Sequence, residues 1–338
     1  YGRGITKTVW DAKRDLPIVR ALDVRNVFFD LTATRAEDVR YWIEATLVSP
    51  KEFRARCKKE YAANPKALSY EPDYYPTWIG VPSTSSGVLT MTRDQMVGEV
   101  RRQAKEGVDV IKIGGSGQSL FNVFASSEAE AFTLDELKTI VDEAHRLGKT
   151  VTIHARSGRS ASDAARAGVD WIQHASFMSD EDLEVVVKAG TPICPTWTLV
   201  ANIAEWGDAF ATPPALRDEF RRELEIAVKV IRRAWEAGVP LLIGTDSGFA
   251  ATPYGEWHAR ELELFVRLIG MSPMEAIQAA TRVSARTLRN GADVGTLEAG
   301  KLADVLVVDG DPLTDIRILQ DRRRLAMIIQ GGRLVDTT

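Results

Sequence analysis

The sequence is poor in the features that mark several large protein classes. Its 338 residues include two cysteines, Cys57 and Cys194, which form no Cys-x-x-Cys pattern. This argues against a disulfide framework and against a cysteine zinc site, and it favours a reducing compartment. No apolar run reaches the ~18 residues of a membrane span, and the first seven residues lack the pattern of a secretory leader. A cytoplasmic location is therefore the default expectation.

The chain also has no large excess of one charge. It carries 43 basic and 47 acidic residues, interspersed, for a formal net charge of -4. Such a chain lacks the broad positive field that nucleic acid or an anionic membrane surface attracts, so a small-molecule substrate is the expected partner. Association with further copies of the chain stays open. With 45% hydrophobic residues, the length suits one barrel-sized domain plus an appendage.

The sequence does contain a regular alternation of strand and helix signals. Glycine stands between the end of a predicted helix and the next apolar run, where it accepts the left-handed conformation. A hydroxyl residue stands three positions before Glu or Gln at predicted helix starts. The glycines are Gly107, Gly168, Gly190 and Gly238, and the helix starts are Thr92, Thr133 and Ser272. The alternation predicts an α/β fold with a parallel sheet, closed into a barrel or left open.

Seven strands are predicted, one fewer than an eight-stranded barrel requires. They are Ile5–Trp10, Asn26–Asp30, Val108–Ile113, Thr150–Ile153, Val169–Gln173, Pro192–Cys194 and Pro240–Ile243. The junction at Gly4 looks like the later helix-to-strand junctions, although only three residues precede it. We therefore expect the first barrel strand to lie upstream of Tyr1. The alternative is a variant barrel or an open sheet.

Two regions depart from the alternation. Residues 32–91 have no clear period and are rich in Tyr, Trp and Pro, which is typical of a lid or pocket wall, with a subunit contact as the alternative. Residues 295–312 and 327–335 predict two short strands with Gly and Asp turns. Since two strands alone are marginally stable, partner strands are expected. The predicted domains are 1–290 and 291–338.

Polar residues occur where four of the predicted apolar strands end. They are Lys112, His154, His174 and Asp246. In barrels of this kind the carboxyl ends of the strands converge on one mouth, so these side chains are expected to meet. The two histidines are 20 residues apart, about one strand and helix, and neutral imidazoles on neighbouring strands suit zinc. The alternative for each histidine is a packed or hydrogen-bonded core residue.

Lys112 and Asp246 add ionisable groups to this set. Lys112 shares strand parity with Val110 and should point into the barrel, where its amine needs an anion or a lowered pKa. Asp246 beside a metal can move a proton between water and a leaving amine. The alternatives are an ion pair for Lys112 and, for Asp246, an N-cap of a short turn after the strand.

The sequence resembles the amidohydrolase superfamily, and within it the branch similar to imidazolonepropionase and Xaa-Pro dipeptidase. The most specific segments are 295–312 and 329–332, followed by the strand ends 151–154, 172–174 and 244–246. The resemblance implies a (β/α)8 TIM-type barrel, here lacking its first strand, beside a small β-sandwich whose C-terminal part is present.

The resemblance also implies a ligand set. One or two divalent ions, with zinc expected, would be bound by Lys112, His154, His174 and Asp246, and carbon dioxide would convert Lys112 to a bridging carbamate. Members of the family carry a His-x-His pair on the first barrel strand, whereas the four histidines here, His145, His154, His174 and His258, include no such pair. Truncation before this strand explains both the missing pair and the missing strand, while a pseudoenzyme explains only the first.

Further residues near strand ends are candidate substrate contacts. Arg156 is a candidate for a substrate carboxylate, with a surface salt bridge as the alternative. Trp197 and Phe249 are candidates for the pocket lining, and aromatic packing is the alternative. His258 is equally consistent with a substrate contact and with the surface. The glycine-rich residues 114–117 lack a phosphate-loop ending and are expected to let a loop approach the site.

The predicted function is hydrolysis of an amide-like C–N bond in a dipeptide, a cyclic amide or a carbamate, with Asp246 as the catalytic residue. One competing hypothesis is a catalytically incomplete fragment or partner-binding pseudoenzyme. Another is a phosphate-binding barrel that uses Lys112 to form an imine and needs no metal.

Overall fold

The computed structural model describes residues 92–117, 128–210, 212–249 and 251–335, and the backbone of four short strands nearer the N-terminus. The chain divides into two compact units, Tyr1–Pro76 and Thr77–Thr338, which we describe separately. The predicted domain boundary at residue 291 stays a prediction. Most of the segment predicted as a lid, residues 32–91, lies outside the described residues.

The first unit contains two antiparallel strand pairs. Strand β1 (Ile5–Asp11) pairs with β2 (Leu16–Leu22), and β3 (Val27–Phe29) pairs with β4 (Trp42–Glu44). The prediction that Ile5–Trp10 and Asn26–Asp30 belong to the parallel alternation is therefore wrong in this structure, although both are strands. Only four residues, 12–15, connect β1 to β2, which is too short for the crossover that a parallel pair requires.

The second unit is built on a four-stranded parallel sheet. Its strands, in spatial order, are β5 (Val110–Gly114), β6 (Thr150–Ser157), β7 (Trp171–Phe177) and β8 (Ile193–Cys194). Leu241 continues the sheet by a single parallel bridge to Ile193. The sheet thus has five neighbouring parallel positions, and the predicted strand Pro240–Ile243 is reduced to that bridge.

Helices alternate with these strands as predicted. They are α1 (Arg93–Glu106), α2 (Leu134–Arg146), α3 (Gly158–Ala167), α4 (Asp180–Ala189), α5 (Trp197–Trp206), α6 (Pro214–Glu236), α7 (Arg260–Leu264) and α8 (Pro273–Gln278). The predicted capping boxes form at Thr92, Thr133 and Ser272. The four junction glycines all have positive φ, as their position requires. Within the described residues, no helix combines the length and apolar character needed to cross a membrane.

The core lies between the sheet and its helices. Ile111, Ile113, Val151, Ile153 and Ile172 are fully buried there. Lys112 is only partly buried, because alternation along β5 directs it to the opposite face of the sheet from Ile111 and Ile113. That Lys112 points into a closed barrel stays a prediction.

The C-terminal region forms a small antiparallel sheet in the order β11-β10-β9. These strands are β9 (Val305–Val308), β10 (Leu325–Gln330) and β11 (Arg333–Leu334), one more than predicted. None of their residues is fully buried. Among the described residues no further strand pairs with this sheet, so the second layer of a sandwich stays a prediction.

Candidate active site

The two histidines at the ends of β6 and β7 lie in contact. The ring centroids of His154 and His174 are 4.5 Å apart, and the rings are nearly perpendicular at 72°. His154 is 1% exposed and His174 is 2% exposed. The predicted convergence of these two residues is therefore confirmed by the structure.

Regular strand geometry would not bring the rings together. In the β6–β7 register His174 is opposite Ala155, and Ala155 shares parity with Ile153, which faces the helices. His174 and Ala175 instead adopt φ values of 75° and 54°. This left-handed step breaks the alternation of β7 and turns the His174 ring toward His154. Backbone strain of this kind costs about 1–3 kcal/mol per residue and clusters at functional sites.

The ring of His154 is oriented by the glycine-rich segment after β5. The Nε2 atom lies 3.2 Å from the carbonyl oxygen of Gly117, and because a carbonyl can only accept, Nε2 carries the proton and Nδ1 the lone pair. A Cβ on Gly115 would lie 2.5 Å from Cδ1 of Ile153, so only glycine lets this segment lie so close to β6. The glycine-rich segment therefore lies against the end of β6, while its expected approach to a metal site stays a prediction.

The ring of His174 is oriented by the turn after β8. The Thr196 hydroxyl lies 2.6 Å from Nδ1 of His174, and the same ring also hydrogen-bonds to the backbone of Pro195. Thr196 itself has a φ of 54°. Burial is the largest cause that lowers the pKa of His154, to about 3, and the nearby Arg156 charge adds to it. Burial likewise holds the pKa of His174 well below its usual range. Both imidazoles are thus neutral, the form that binds metal.

Lys112 and Asp246 are close enough to influence each other. Burial lowers the pKa of the Lys112 amine, and the charges of Asp246 and Cys194 oppose this shift. Burial raises the pKa of Asp246, and the charges of Arg156 and Lys112 oppose it. Asp246 has a φ of 52°. Its Oδ2 atom is enclosed and has no hydrogen-bond partner among the described residues, so this oxygen is available to a bound group.

Arg156 lies in a buried network. Its guanidinium forms an ion pair with Glu223 of α6, and the Ser176 hydroxyl donates to the same Glu223 oxygen at 2.6 Å. Arg156 is 2% exposed. Its Nε and Nη2 atoms have no hydrogen-bond partner within the described part of the chain. The alternative of a surface salt bridge is therefore wrong in its location, since Arg156 forms a salt bridge that is buried.

The other candidate substrate contacts lie in different surroundings. Trp197 is 1% exposed and packs edge-on against Phe265 at 5.8 Å, a core position that argues against a substrate contact. Phe249 is partly buried against a second apolar cluster around α5 and α6. His258 is exposed on the turn before α7. His145 lies on α2, where its Nε2 contacts Asp170 at 2.9 Å.

Several residues that shape the site were not predicted. Thr196 and Gly117 orient the histidines, Glu223 holds Arg156, and Glu261 of α7 is fully buried beside the start of α5. Thr196 lies two residues after the end of a predicted strand, and this position could have identified it from the sequence. Nothing in the local sequence distinguishes Glu223 or Glu261 from surface carboxylates of a helix.

The described residues include side chains of the types that bind divalent metal ions. Among them, no three His, Cys, Asp or Glu side chains are grouped as a metal would require. The donor chemistry nevertheless fits a divalent ion, since two neutral imidazoles lie in contact and an enclosed Asp246 oxygen has no hydrogen-bond partner in the described part of the chain. Lysine becomes a ligand only when it is deprotonated or carboxylated.

Comparison with known proteins places this site in a family. The pattern that defines the amidohydrolase family matches residues 70–335. The ochratoxinase of Aspergillus niger is 31% identical over 242 residues, which are 70% of this chain and 48% of that protein. The imidazolonepropionase of Symbiobacterium thermophilum is 28% identical over 216 residues, covering 62% of this chain and 45% of that protein.

Solved structures agree with these relatives. A Xaa-Pro dipeptidase, crystallised with methionine in its active site, superposes with a TM-score of 0.64 at 30% identity, covering 73% of this chain and 59% of that one. The chain spans about half the length of the curated relatives described above. Since the family pattern extends over most of the chain and includes the strand-end residues, the protein belongs to the amidohydrolase family.

Proposed function

We propose that the protein is a metal-dependent hydrolase that cleaves an amide-like C–N bond in a dipeptide, a cyclic amide or a carbamate. The observation that carries this proposal is the contact of His154 and His174 at the carboxyl ends of adjacent parallel strands. Ochratoxinase and Xaa-Pro dipeptidase among the relatives support the hydrolase class. Fold and family leave the substrate open, because pockets diverge on a shared scaffold.

The proposed complete fold is a (β/α)8 barrel with a β-sandwich beside it. Five neighbouring parallel positions and the similarity to amidohydrolase structures support the barrel. The antiparallel sheet of β9 to β11 supports one layer of the sandwich.

The proposed metal ligands are Nδ1 of His154, Nε2 of His174, Lys112 and Asp246, holding one or two divalent ions, with zinc expected. A bound ion would polarise the scissile carbonyl and lower the pKa of water toward ~7. The chain keeps both imidazoles neutral by burial and fixes their rings through Gly117 and Thr196. Ligand orientation is therefore set before any ion binds.

Lys112 is proposed to react with carbon dioxide. Its neutral amine forms an N–C bond to the carbon, one proton leaves, and the product is a carbamate with two oxygen donors. The lowered pKa of Lys112 supports this step because it raises the fraction of neutral amine.

Asp246 is proposed as the general base and acid. Its enclosed Oδ2 would accept a proton from the attacking water and later donate it to the leaving amine. The raised pKa of Asp246 favours the second transfer, since a carboxyl that holds its proton more tightly is protonated for a larger part of the reaction cycle.

Substrate recognition in this proposal uses residues around the mouth. The Nε and Nη2 atoms of Arg156 are the donors for a substrate carboxylate, and Phe249 contributes apolar surface. His258 would contact the substrate from the exposed turn before α7. Trp197 acts only indirectly, through the packing of α5.

The test measures metal content and hydrolysis together, on the protein expressed from its complete reading frame. Plasma mass spectrometry should find one to two equivalents of metal, lost in His154→Ala and His174→Ala and kept in His145→Ala, the matched control on the surface of α2. Release of amine from N-acyl amino acids, cyclic amides and aryl carbamates should follow the metal content. A protein without metal, or one whose substrate is trapped by borohydride on Lys112, would contradict the proposal and favour the binding or imine alternatives.

A further inference from the structure

Helix α5 begins without a cap from its own sequence. Thr196 occupies the N-cap position, where a threonine hydroxyl ordinarily accepts from a backbone N–H in the first turn. Here its backbone is left-handed, with φ 54° and ψ 41°, and its side chain makes no capping hydrogen bond. The hydroxyl is instead within 2.6 Å of Nδ1 of His174. The residue that should cap the helix is thus used to orient a histidine.

Glu261, from helix α7, takes over the cap. One carboxylate oxygen accepts from the Trp197 backbone N–H at 2.8 Å. The other accepts from the Thr198 backbone N–H at 2.7 Å and from the Thr198 hydroxyl at 2.6 Å. The Glu261 side chain is fully buried, so water cannot replace it at these donors. The N–H groups of the first helical turn have no partner within the helix and need such an acceptor.

We infer that Glu261 is a positioning residue for His174. By satisfying the start of α5 from outside, it releases the Thr196 hydroxyl and stabilises the strained Thr196 backbone that delivers this hydroxyl to Nδ1. Without Glu261, an extended Thr196 backbone would be favoured, because the Thr196 hydroxyl could then cap α5 by accepting from a backbone N–H of its first turn. The contact of this hydroxyl with His174 would be lost. The inference rests on the proposed function, in which Nε2 of His174 binds the metal, because binding through Nε2 requires the ring proton on Nδ1, where the Thr196 hydroxyl can accept it.

The first measurement needs no metal. Histidine labelled with ¹⁵N gives few ring signals, since the sequence has four histidines, and His174→Gln identifies the signal of interest. In the metal-free wild type, the His174 ring should carry its proton on Nδ1, whereas the His154 ring should carry it on Nε2. Glu261→Gln and Thr196→Val should both shift the His174 ring toward a mixture of tautomers. Thr196→Ser keeps the hydroxyl and should retain the wild-type signal.

The matched control is Glu263→Gln, the same change two residues along α7, at a carboxylate that pairs with Arg260 and does not contact α5. It should leave the His174 signal unchanged. A second readout is zinc affinity measured by competition with a chromophoric chelator. Glu261→Gln and Thr196→Val should each weaken binding about 10- to 100-fold, the usual effect of losing an outer contact of a ligand. The double variant should be no weaker than Thr196→Val alone, because both changes act on one contact.

A Glu261→Gln protein that is less stable yet keeps the wild-type His174 tautomer and zinc affinity would overturn the inference, because Glu261 would then be only structural. If Glu261→Gln does not fold, Thr198→Val removes one of the three donors to Glu261 and should give a smaller shift in the same direction. An unchanged His174 signal in that variant would also overturn it. If the wild type binds no zinc, the proposed function fails, while the tautomer measurement still decides the role of Glu261.

Discussion

At the scale of single residues, the site depends on which atoms are enclosed and which backbone angles are strained. His174, Thr196 and Asp246, on three successive parallel positions, all have positive φ. Each of these residues brings its side chain to a point that a regular strand would not reach. Left-handed backbone therefore recurs at three of the strand ends that contribute to the site, but not at Lys112 or His154.

Replacing Asp246 with Asn tests the role of the enclosed oxygen. The change keeps shape and removes the basic group, so kcat should fall about 10²- to 10⁴-fold while KM changes little. Steady-state kinetics together with circular dichroism would check this. A folded variant with wild-type kcat would exclude Asp246 as the proton carrier.

The strand-end residues could be read from the sequence because their type and position follow the strand–helix alternation. The residues that contact and orient them could not be predicted in this way. Parity along β7 would send His174 to the helix face, and only the left-handed step at His174 and Ala175 reverses this. No glycine marks this step in the sequence. Contacts made across distant elements, as by Glu223 and Glu261, are equally invisible to spacing.

At the scale of elements, helix starts and ends were predicted well, because caps are local chemistry. Strand direction in residues 5–29 was predicted wrongly, because the same apolar pattern suits parallel and antiparallel pairing. The connection after β5 shows how single loop residues can affect a neighbouring strand. Gly115 lies against β6, and the Gly117 carbonyl orients the ring of His154 at the end of that strand.

Two glycine substitutions separate these effects. Gly115→Ala should lower the free energy of unfolding by about 1–3 kcal/mol, because its Cβ would overlap Ile153. Gly98→Ala, on the exposed side of α1 with no atom within 4 Å of the added Cβ, should raise it by up to about 1 kcal/mol. Urea denaturation of both variants would check the signs. Equal effects would mean that the close approach of Gly115 is relieved without cost.

The cap of α5 should make stability depend on pH. Burial is the largest cause that raises the pKa of Glu261 from 4.5 to about 7. The folded state then holds this proton more tightly than the unfolded chain, so the stabilisation is complete below pH 4.5 and is lost as pH rises through 7. Relative to Glu261→Gln, the free energy of unfolding of the wild type should fall by about 3 kcal/mol across this range.

Denaturation of both proteins at several pH values would measure this difference. Glu263→Gln again serves as a control, because the pKa of Glu263 is lowered and its effect has the opposite sign. A difference between the wild type and Glu261→Gln that stays constant, or grows with pH, would show that Glu261 is ionised throughout.

At the scale of the whole molecule, one buried ion pair ties the parallel sheet to the longest helix of the second unit. Arg156 lies in β6 and Glu223 in α6, and both are almost completely buried. Removing one partner leaves the other charge buried and unpaired, whereas removing both partners leaves no buried charge. The pair therefore contributes to the stability of the unit as well as to the charge around the site.

Arg156→Met should lower the free energy of unfolding by about 3–5 kcal/mol, because Glu223 is left unpaired. The double variant Arg156→Met with Glu223→Leu should recover a large part of this loss. Chemical denaturation of the single and double variants gives the coupling between the two residues. Additive effects would show that the two charges do not interact in the folded protein.

The left-handed backbone at His174 also bears on how this sequence can evolve. The proposed metal site needs an imidazole at a position where glycine or asparagine would relieve strain. Selection for catalysis and selection for stability therefore oppose each other at this codon. In lineages that keep the fold and lose the activity, His174 should be among the first site residues to be replaced, and glycine or asparagine there would identify such a lineage from sequence.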